Sequence, residues 1–380
     1  MSAAILAHWA ALRNCFRTIE LDTRWHLTLL LYVLTLVAAW VSIALVVDVQ
    51  PEGDNLEQLA WARQLAWGFE KHPPLPTMML WVAERVLPPG VPLTYVMGGL
   101  QVAVMLWLAW AVAALTLDRR RAALALLFVS CITYYTNRMH YYNHNTALLV
   151  ACALSVYCVW RAAQSASAAW SLVLGAAWGL GLLSKYQMVV AIACNLTFLS
   201  VSTTLRFPQR LKVFAIAVIG CAILITPHAL WLVAHDFPSF HYAAKFVGAH
   251  MPWSQRPANI AGFLADQALR LLPVAVLLAI LVRIAGRDRP SRELATVPLA
   301  TSPAVTRLVA IHTWGPFILM SALSLLFGVD LETHWGTAFL WMTPLWFLST
   351  SPGRALLRLS DATILTGVVA LQATMLWAYR

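Results

Sequence analysis

Charged residues are scarce in this chain, and their scarcity excludes an ordinary soluble protein. Asp, Glu, Lys and Arg make up 11% of the 380 residues, whereas hydrophobic residues make up 61%. Soluble domains carry about a quarter charged residues, and the mean hydropathy of +0.71 is typical of a chain that lies mostly in a bilayer. The apolar run Trp25–Val47 can cross a hydrocarbon core of roughly 30 Å. No cleavage pattern follows an early apolar region, so we interpret this run as an uncleaved helix rather than a signal peptide.

Cysteine pairs with functional spacing are missing as well. No C-x-x-C motif occurs, and all six cysteines lie in predicted spans or in the N-terminal segment: Cys15, Cys131, Cys152, Cys158, Cys194 and Cys221. This pattern indicates neither a disulfide framework nor a zinc site. No other cluster of His, Asp or Glu has metal-ligand spacing, so the sequence supports no metal ion and no cofactor.

Long apolar runs dominate what is present. Hydropathy predicts about eleven transmembrane helices, at residues 25–47, 93–117, 122–137, 146–161, 171–184, 188–204, 213–234, 261–282, 308–328, 337–350 and 360–378. The short connections favour an all-α polytopic membrane protein with a single membrane-embedded domain over residues 1–380. We expect residues 1–24 to lie along the membrane surface before the first span.

The net charge of +10 raises nucleic-acid binding as a possibility, but the basic residues fall between hydrophobic spans rather than on a soluble domain. A positive-inside topology explains them better. With the N-terminus in the cytoplasm, the inner connections hold 17 of the 26 Lys and Arg residues, including Arg119–Arg121. The opposite face then collects ionisable residues of both signs and most of the histidines, and we expect the chemistry there.

The first outer connection, residues 48–92, contains an unusually polar stretch. From Asp54 onwards apolar residues recur at helical spacing, which predicts an interfacial helix that runs to the prolines before Leu75. Asp54 and Glu57 have the spacing of a D-x-x-E capping box with Asp54 as N-cap, so they can act as helix caps, as catalytic carboxylates, or as both. Lys71 can likewise be a lysine that snorkels to the interface.

Five motifs, in order along the chain, resemble one protein family. The first outer connection holds D-x-x-E, a W-G-F step and the sequence EKHPPL. Downstream follow NHNTALLVACALSVYCVWRA (143–162), WGLGLLSKYQMVV (178–190), WLVAHDFPSFHY (231–242) and THWGTAFLWMTPLW (333–346). Together they resemble the protein-mannosyltransferase-like family, GT-C membrane glycosyltransferases that include the bacterial aminoarabinose and galacturonic acid transferases. The family often has an acidic pair where this chain has Asp54-Asn55, and we expect no separate soluble C-terminal domain.

The resemblance implies a GT-C-like helical bundle and an enzyme. The expected activity moves a hexose or pentose from a polyprenyl-phosphate carrier to a lipid or glycan acceptor, such as lipopolysaccharide, with inversion of configuration. The expected location is the bacterial inner membrane, with the active face on the periplasmic side. The partners would be the donor, the acceptor and membrane lipids, and no nucleic acid.

Displacement at an anomeric carbon needs a base for the incoming hydroxyl and cations for the departing phosphate. We predict Asp54 as the base, with Glu57 in support. Three cationic side chains on the outer face are the predicted ligands of the donor phosphate: Lys71, Lys185 and Arg256. Six more residues are candidates for binding the sugar or the acceptor: His72, Asn143, His144, Asn145, His334 and Trp335.

Lys185 is the most informative of these residues because it lies between two apolar spans, where an unpaired ammonium is costly. Its neighbours Ser184 and Tyr186 offer hydroxyl donors, and the flanking leucines and valines can pack a lipid tail. A lysine in a tight outer turn is the alternative. The segment Asn143–Asn145 can also cap the fourth span, and Trp335 can be an interfacial anchor.

A lipid or polyprenyl-phosphate transporter, or flippase, is the competing function. It would need charges near the bilayer midplane and an internal two-fold repeat. The polar groups described above instead cluster in connections, and the two halves of the chain show no repeat of one another. A purely structural membrane subunit would give no reason for opposite charges to gather on one face. The glycosyltransferase is therefore the favoured interpretation.

Overall fold

The computed structural model describes residues 23–48, 50–201, 204–247, 251–286 and 302–380. Within these ranges every regular element is a helix, which confirms the all-α prediction. Residues 1–22, predicted to lie on the membrane surface, fall outside the described part, and the single-domain boundary at 1–380 stays a prediction.

The described elements alternate long helices with short ones. The α-helices are α1 Thr23–Val47, α2 Gly53–Trp61, α3 Leu75–Ala83, α4 Val91–Thr116, α5 Arg119–Val129, α6 His144–Ser165, α7 Ala168–Ser184, α8 Met188–Val201, α9 Phe207–Ala234, α10 Pro238–Val247, α11 Arg256–Ala285, α12 Pro303–Phe327, α13 Met342–Ser349, α14 Ser351–Ala355 and α15 Asp361–Tyr379. Three 3-10 turns lie between them, at Thr133–Tyr135, Thr333–Ala338 and Leu356–Arg358.

Seven of the described helices are long and apolar enough to cross a membrane, by length and composition: α1, α4, α6, α9, α11, α12 and α15. Two further apolar helices are shorter, α7 with 17 residues and α8 with 14. The polytopic architecture is thereby confirmed, but the count of eleven spans is not. The predicted spans 122–137 and 337–350 contain only α5 and α13, which have 11 and 8 residues.

A polar contact explains why those two predicted spans are not continuous helices. After α5 the chain turns, and Tyr135 donates its hydroxyl to the carbonyl of Thr337 at 2.6 Å. Thr337 belongs to the 3-10 turn that replaces the start of the predicted span 337–350. Hydropathy along the chain cannot reveal a bond between segments so far apart in sequence.

Buried amide groups join the first and last helices of the described chain. Trp40 of α1 donates its indole N–H to Gln372 Oε1 of α15 at 3.0 Å, and Gln372 Nε2 donates to the carbonyl of Ser130 at 2.8 Å. Hydrogen bonds between polar side chains hold apolar helices together where the hydrophobic effect between helices is weak. One connected cluster of buried apolar side chains accordingly reaches from Leu29 to Val368.

Helices α7 and α9 cross at very short range. A Cβ atom at Gly175 would collide with the backbone of Ala217, and Gly220 of α9 faces Leu172 of α7 in the same way. Small residues allow such close approach between membrane helices. The crossing packs α7, which Lys185 directly follows, against α9.

Gly175→Ala should therefore destabilise the protein, because the added methyl forces the two helices apart, at a cost of roughly 1–3 kcal/mol for overpacking. The measurement is thermal unfolding of the purified protein in detergent. Gly262→Ala in α11 is the matched control, since an added Cβ there meets no atom within 4 Å. It should be neutral, or stabilising by up to about 1 kcal/mol, through helix propensity. Equal melting temperatures for the two variants would contradict the close crossing.

Candidate active site

Asp54 lies in the first turn of α2 and is held from outside that helix. Its Oδ2 accepts a hydrogen bond from Asn143 Nδ2 at 2.8 Å. The N-cap residue is Glu52, which makes no side-chain cap bond. The prediction that Asp54 is the N-cap of a D-x-x-E capping box is wrong, because the Asp54 carboxylate is turned toward the start of α6 instead.

Asn55, which stands where the family often has a second acid, is fully buried and acts as a structural amide. Its Nδ2 donates to Thr94 Oγ1 at 2.8 Å and to the carbonyl of His140 at 3.0 Å. Its Oδ1 accepts from the backbone N–H of Tyr142 at 3.3 Å. A carboxylate could not donate to the His140 carbonyl. Asn55 thus fixes α2 against α4 and the segment before α6, and so positions Asp54.

Asn143 caps α6 with its side-chain oxygen and contacts Asp54 with its side-chain nitrogen. As N-cap of α6 it accepts hydrogen bonds at Oδ1 from the backbone N–H groups of Asn145 and Thr146, at 2.8 and 3.2 Å. The capping interpretation is therefore confirmed. Because capping uses the side-chain oxygen, the amide nitrogen remains available to Asp54. The start of a membrane helix and the candidate base are thus rigidly connected.

The first outer connection folds back on itself sooner than predicted. The helix that begins at Gly53 ends at Trp61 rather than at the prolines. The Trp61 ring stacks on Phe69, with ring centroids 4.7 Å apart. This reversal brings Lys71 next to Glu57, and their Nζ and Oε1 atoms form an ion pair at 2.6 Å. Glu57 therefore contacts a predicted phosphate ligand.

Lys185 follows α7 directly and points at neutral partners. Its Nζ donates to Asn145 Oδ1 at 2.7 Å, lies 3.5 Å from His334 Nε2, and lies 5.7 Å from the centre of the Trp335 ring. Burial lowers the pKa of the Lys185 ammonium, and the charges of Asp54 and Glu332 oppose that shift. An ammonium without a directly bonded carboxylate is stabilised by an incoming anion.

The imidazole rings around Lys185 act as neutral groups. Burial, followed by the charge of Lys185, lowers the pKa of both His72 and His334. The rings of His72 and His144 lie in contact, with centroids 3.4 Å apart. Neutral imidazoles exchange hydrogen bonds with hydroxyl groups but do not neutralise a phosphate. The cations at the site are therefore Lys71 and Lys185.

The segments that carry these side chains enclose a cavity of about 560 Å³. Eight of the predicted site residues line it: Asp54, Lys71, His72, His144, Asn145, Lys185, His334 and Trp335. Glu57 and Asn143 adjoin the cavity through Lys71 and Asp54. The structure thus brings residues from five sequence motifs into one chamber.

Arg256 does not line this cavity. Its Nε donates to the carbonyl of Met251 at 3.0 Å and its Nη1 to the carbonyl of Leu325 at 2.8 Å. The carbonyls in the last turn of a helix lack intrahelical partners and attract cations. Arg256 therefore caps the C-terminal end of α12, which is why it lies away from the predicted phosphate ligands.

The two predicted hydroxyl donors beside Lys185 are already engaged. Ser184 Oγ donates to the carbonyl of Leu180 at 2.8 Å. Tyr186 Oη lies 2.8 Å from His228 Nε2 and 2.7 Å from Ser239 Oγ. Tyr186 lines the cavity, but its hydroxyl joins α9 and α10 to the turn after α7. Both hydroxyls that the sequence offered as phosphate donors therefore have partners within the protein.

Three further lining residues escaped the sequence analysis as site candidates: Gln187, Tyr242 and Glu332. Gln187 and Glu332 each lie two residues from a predicted site residue, so proximity to the motif was the available signal. Tyr242 lies near both Lys71, whose Nζ is 5.9 Å from the ring centre, and His72, at 5.7 Å between ring centroids. Among the described residues, no three His, Cys, Asp or Glu side chains are grouped so that they could hold a metal ion.

Part of the chain matches a known protein family. Residues 71–231 match the family described as dolichyl-phosphate-mannose-protein mannosyltransferase. That range includes Lys71, Asn143 and Lys185. No curated protein sequence matches the chain.

Two solved structures share the fold. ArnT from Cupriavidus metallidurans bound to undecaprenyl phosphate is similar with a TM-score of 0.64 and 16% identity, over 92% of this chain and 63% of that chain. The apo state of the same protein has a TM-score of 0.63 and 18% identity, over 92% and 62%. This chain thus spans less than two thirds of their length, and at such identity the likeness shows the fold. The chain is therefore similar to the protein-mannosyltransferase-like family over residues 71–231, and it shares the fold of the two ArnT structures.

Proposed function

We propose that this chain is a membrane glycosyltransferase that moves a sugar from a polyprenyl-phosphate carrier to a hydroxyl group of a lipid or glycan acceptor, such as lipopolysaccharide. One observation carries the proposal. A single cavity places a carboxylate, Asp54, together with two ammonium groups, Lys71 and Lys185. A displacement that expels phosphate needs a base and cations in the same chamber.

The cavity also suits an amphiphilic donor. Besides its charged side chains it is lined by apolar residues of α8, α12 and the segment after α12: Val189, Val190, Met320, Leu323, Val329 and Leu331. Val189 is 55% exposed and Leu323 is 38% exposed, so this wall continues onto the outer surface of apolar helices. A lipid tail can therefore leave the cavity toward the bilayer while its phosphate stays with the lysines. The ArnT structure with undecaprenyl phosphate supports this class of carrier.

The proposed reaction is a single displacement. The Asp54 carboxylate takes the proton of the acceptor hydroxyl while the hydroxyl oxygen bonds to the anomeric carbon. The bond from that carbon to the phosphate oxygen breaks, and its electron pair leaves with the polyprenyl phosphate. Lys185 and Lys71 stabilise the charge that develops on the phosphate. Attack opposite the leaving group inverts the anomeric configuration.

The direct test is incubation of the purified protein with a panel of polyprenyl-phosphate-linked pentoses and hexoses and a membrane lipid extract. Release of polyprenyl phosphate with one of the sugars is expected. A flippase would instead move the intact carrier across the wall of a proteoliposome. Carrier movement without release of lipid phosphate for any sugar would reject the transferase in favour of that alternative.

The active face is expected to be periplasmic, because the basic connections lie opposite it. Two exposed glutamines near opposite ends of the helices make a matched pair of probes, Gln64 after α2 and Gln164 near the end of α6. In a cysteine-free background, a membrane-impermeant maleimide should label Gln64→Cys in intact cells and Gln164→Cys only after permeabilisation. The reverse labelling would overturn the orientation.

A further inference from the structure

A second ion pair lies in a long apolar helix, outside the cavity lining. Asp266 and Arg270 are one turn apart in α11, and Arg270 Nε donates to Asp266 Oδ2. Their side chains are 28% and 19% exposed, and α11 is one of the seven helices able to cross a membrane. Charged residues within such helices are costly and mark functional sites by default. The i,i+4 spacing of the two charges is visible in the sequence.

Arg270 uses only part of its hydrogen-bonding capacity. In the part of the chain that the structure describes, its Nη1 and Nη2 atoms make no hydrogen bond to protein, and the guanidinium lies 5.6 Å from the centre of the Tyr134 ring. Asp266 Oδ2 also accepts from Gln267 Nε2 at 3.3 Å. A guanidinium held at Nε presents its remaining donors in a rigid plane that matches two oxygens of a phosphate or carboxylate. The pair is therefore arranged as an oxyanion site.

The pair adjoins the candidate active site. Thr133 Oγ1 donates to the carbonyl of Arg270 at 3.1 Å, and Gln267 Nε2 donates to the carbonyl of Thr333 at 2.7 Å. These bonds hold α11 against two 3-10 turns, one of which carries His334 and Trp335 of the cavity wall. Arg270 itself is not among the cavity-lining residues.

The charges of Arg270 and of the candidate base both affect the pKa of Tyr134. Burial raises the pKa of the Tyr134 phenol, the charge of Arg270 opposes that shift, and the charge of Asp54 adds to it. The charges of Arg270, whose guanidinium lies 5.6 Å from the Tyr134 ring, and of Asp54 therefore act on the same phenol. The acceptor must present its hydroxyl to Asp54 without using the cations that hold the donor.

We propose that Arg270, held in place by Asp266, binds an oxyanion of the acceptor, a phosphate or carboxylate group near the hydroxyl that receives the sugar. This inference rests on the transferase function proposed above and adds a specificity determinant to it. An acceptor without such a group would lose the bidentate contact. When no acceptor is bound, the Asp266 carboxylate neutralises the charge of the Arg270 guanidinium within the helix.

The test measures binding of a short-chain phosphate monoester lipid, dihexanoyl phosphatidic acid, to the purified protein whose donor site is filled with undecaprenyl phosphate. Dihexanoylglycerol is the uncharged comparison. Arg270→Met should weaken phosphatidic acid binding by about 10-fold or more, since a charge-assisted bidentate contact is lost. Arg270→Lys should show a smaller loss. Arg283→Met, in the last turn of the same helix and exposed, is the matched control and should bind like the wild type.

Affinity for undecaprenyl phosphate, measured separately, should be unchanged in all three variants, and this shows that they are folded. If Arg270→Met does not fold, the Arg270→Lys variant carries the test. Wild-type phosphatidic acid affinity in the folded Arg270 variants would overturn the proposal. Equally tight binding of dihexanoyl phosphatidylglycerol would also overturn it, because ordinary membrane lipid would then fill the site. Failure of the transferase itself would appear differently, as no release of polyprenyl phosphate with any sugar while the anion binding persists.

Discussion

Asp54→Asn should slow sugar transfer by roughly 10²–10⁴-fold, because an amide cannot take the proton of the acceptor hydroxyl. The substitution keeps an oxygen that can accept from Asn143 Nδ2. Its cost to α2 is limited to the loss of a negative charge in the first turn, about 0.3–1 kcal/mol. The measurement is the rate of polyprenyl phosphate release at saturating donor, with donor affinity determined in parallel. Donor affinity should be unchanged or stronger, since a negative charge near the phosphate is removed.

Asp330→Asn is the matched control for that experiment. Asp330 is also a carboxylate that accepts a hydrogen bond from an asparagine, with Asn259 Nδ2 at 2.7 Å from its Oδ1, but it does not line the cavity. The control should transfer sugar at the wild-type rate. Full activity in a well-folded Asp54→Asn protein would leave Asp54 a purely structural role beside Asn143 and would remove the base from the proposed mechanism.

Lys185→Met should weaken donor binding by roughly 10- to 100-fold, which corresponds to the loss of a charge-assisted hydrogen bond worth about 1.5–3 kcal/mol. Methionine keeps the apolar length of the side chain and removes the ammonium, so the packing of the turn after α7 is preserved. The measurement is equilibrium binding of the polyprenyl-phosphate sugar to purified protein. Lys245→Met, an exposed lysine of α10 outside the cavity lining, should bind the donor like the wild type. Unchanged affinity in Lys185→Met would leave Lys71 as the phosphate ligand.

The pH dependence of donor binding distinguishes a lysine that binds the donor phosphate from a lysine with only a structural role. Burial lowers the pKa of Lys185, and the phosphate binds the protonated form. Donor affinity should therefore fall as pH rises through this lowered pKa, below the ordinary lysine value of about 10.4. Lys185→Arg should bind more weakly but with a flatter profile, because a guanidinium stays protonated up to a pH of about 12. Parallel profiles for the wild type and Lys185→Arg would show that another group controls the pH dependence.

Many of the residues that line the cavity could be named from the sequence, but the residues to which they hydrogen-bond could not. Lys185 could be recognised because an ammonium between apolar helices is costly wherever it occurs. That its Nζ bonds to Asn145, 40 positions away, follows only from the way α6, α7 and α8 pack. In the same way the D-x-x-E spacing at Asp54 suggested a helix cap. In the structure Asn143, 89 positions away, donates a hydrogen bond to the Asp54 carboxylate.

Arg256 is the predicted phosphate ligand that the structure places outside the cavity lining. Its charge and its place on the outer face made it a candidate for phosphate binding, yet the free carbonyls at the end of α12 bind its guanidinium. A helix end competes with a ligand for the same donor, and only the folded chain decides which is nearer. Asp266 and Arg270 were overlooked because average hydropathy hides two charges in a long apolar run.

The sequence by itself determined the membrane class, most of the long helices and the polar face on which the motifs gather. These properties depend on local composition, since an apolar segment of sufficient length enters the bilayer regardless of its neighbours. Tertiary structure decided which carboxylate faces the cavity, which lysines lack a neutralising partner and where short helices replace full spans. Those outcomes depend on hydrogen bonds and packing between segments far apart in the chain, and no local pattern encodes them.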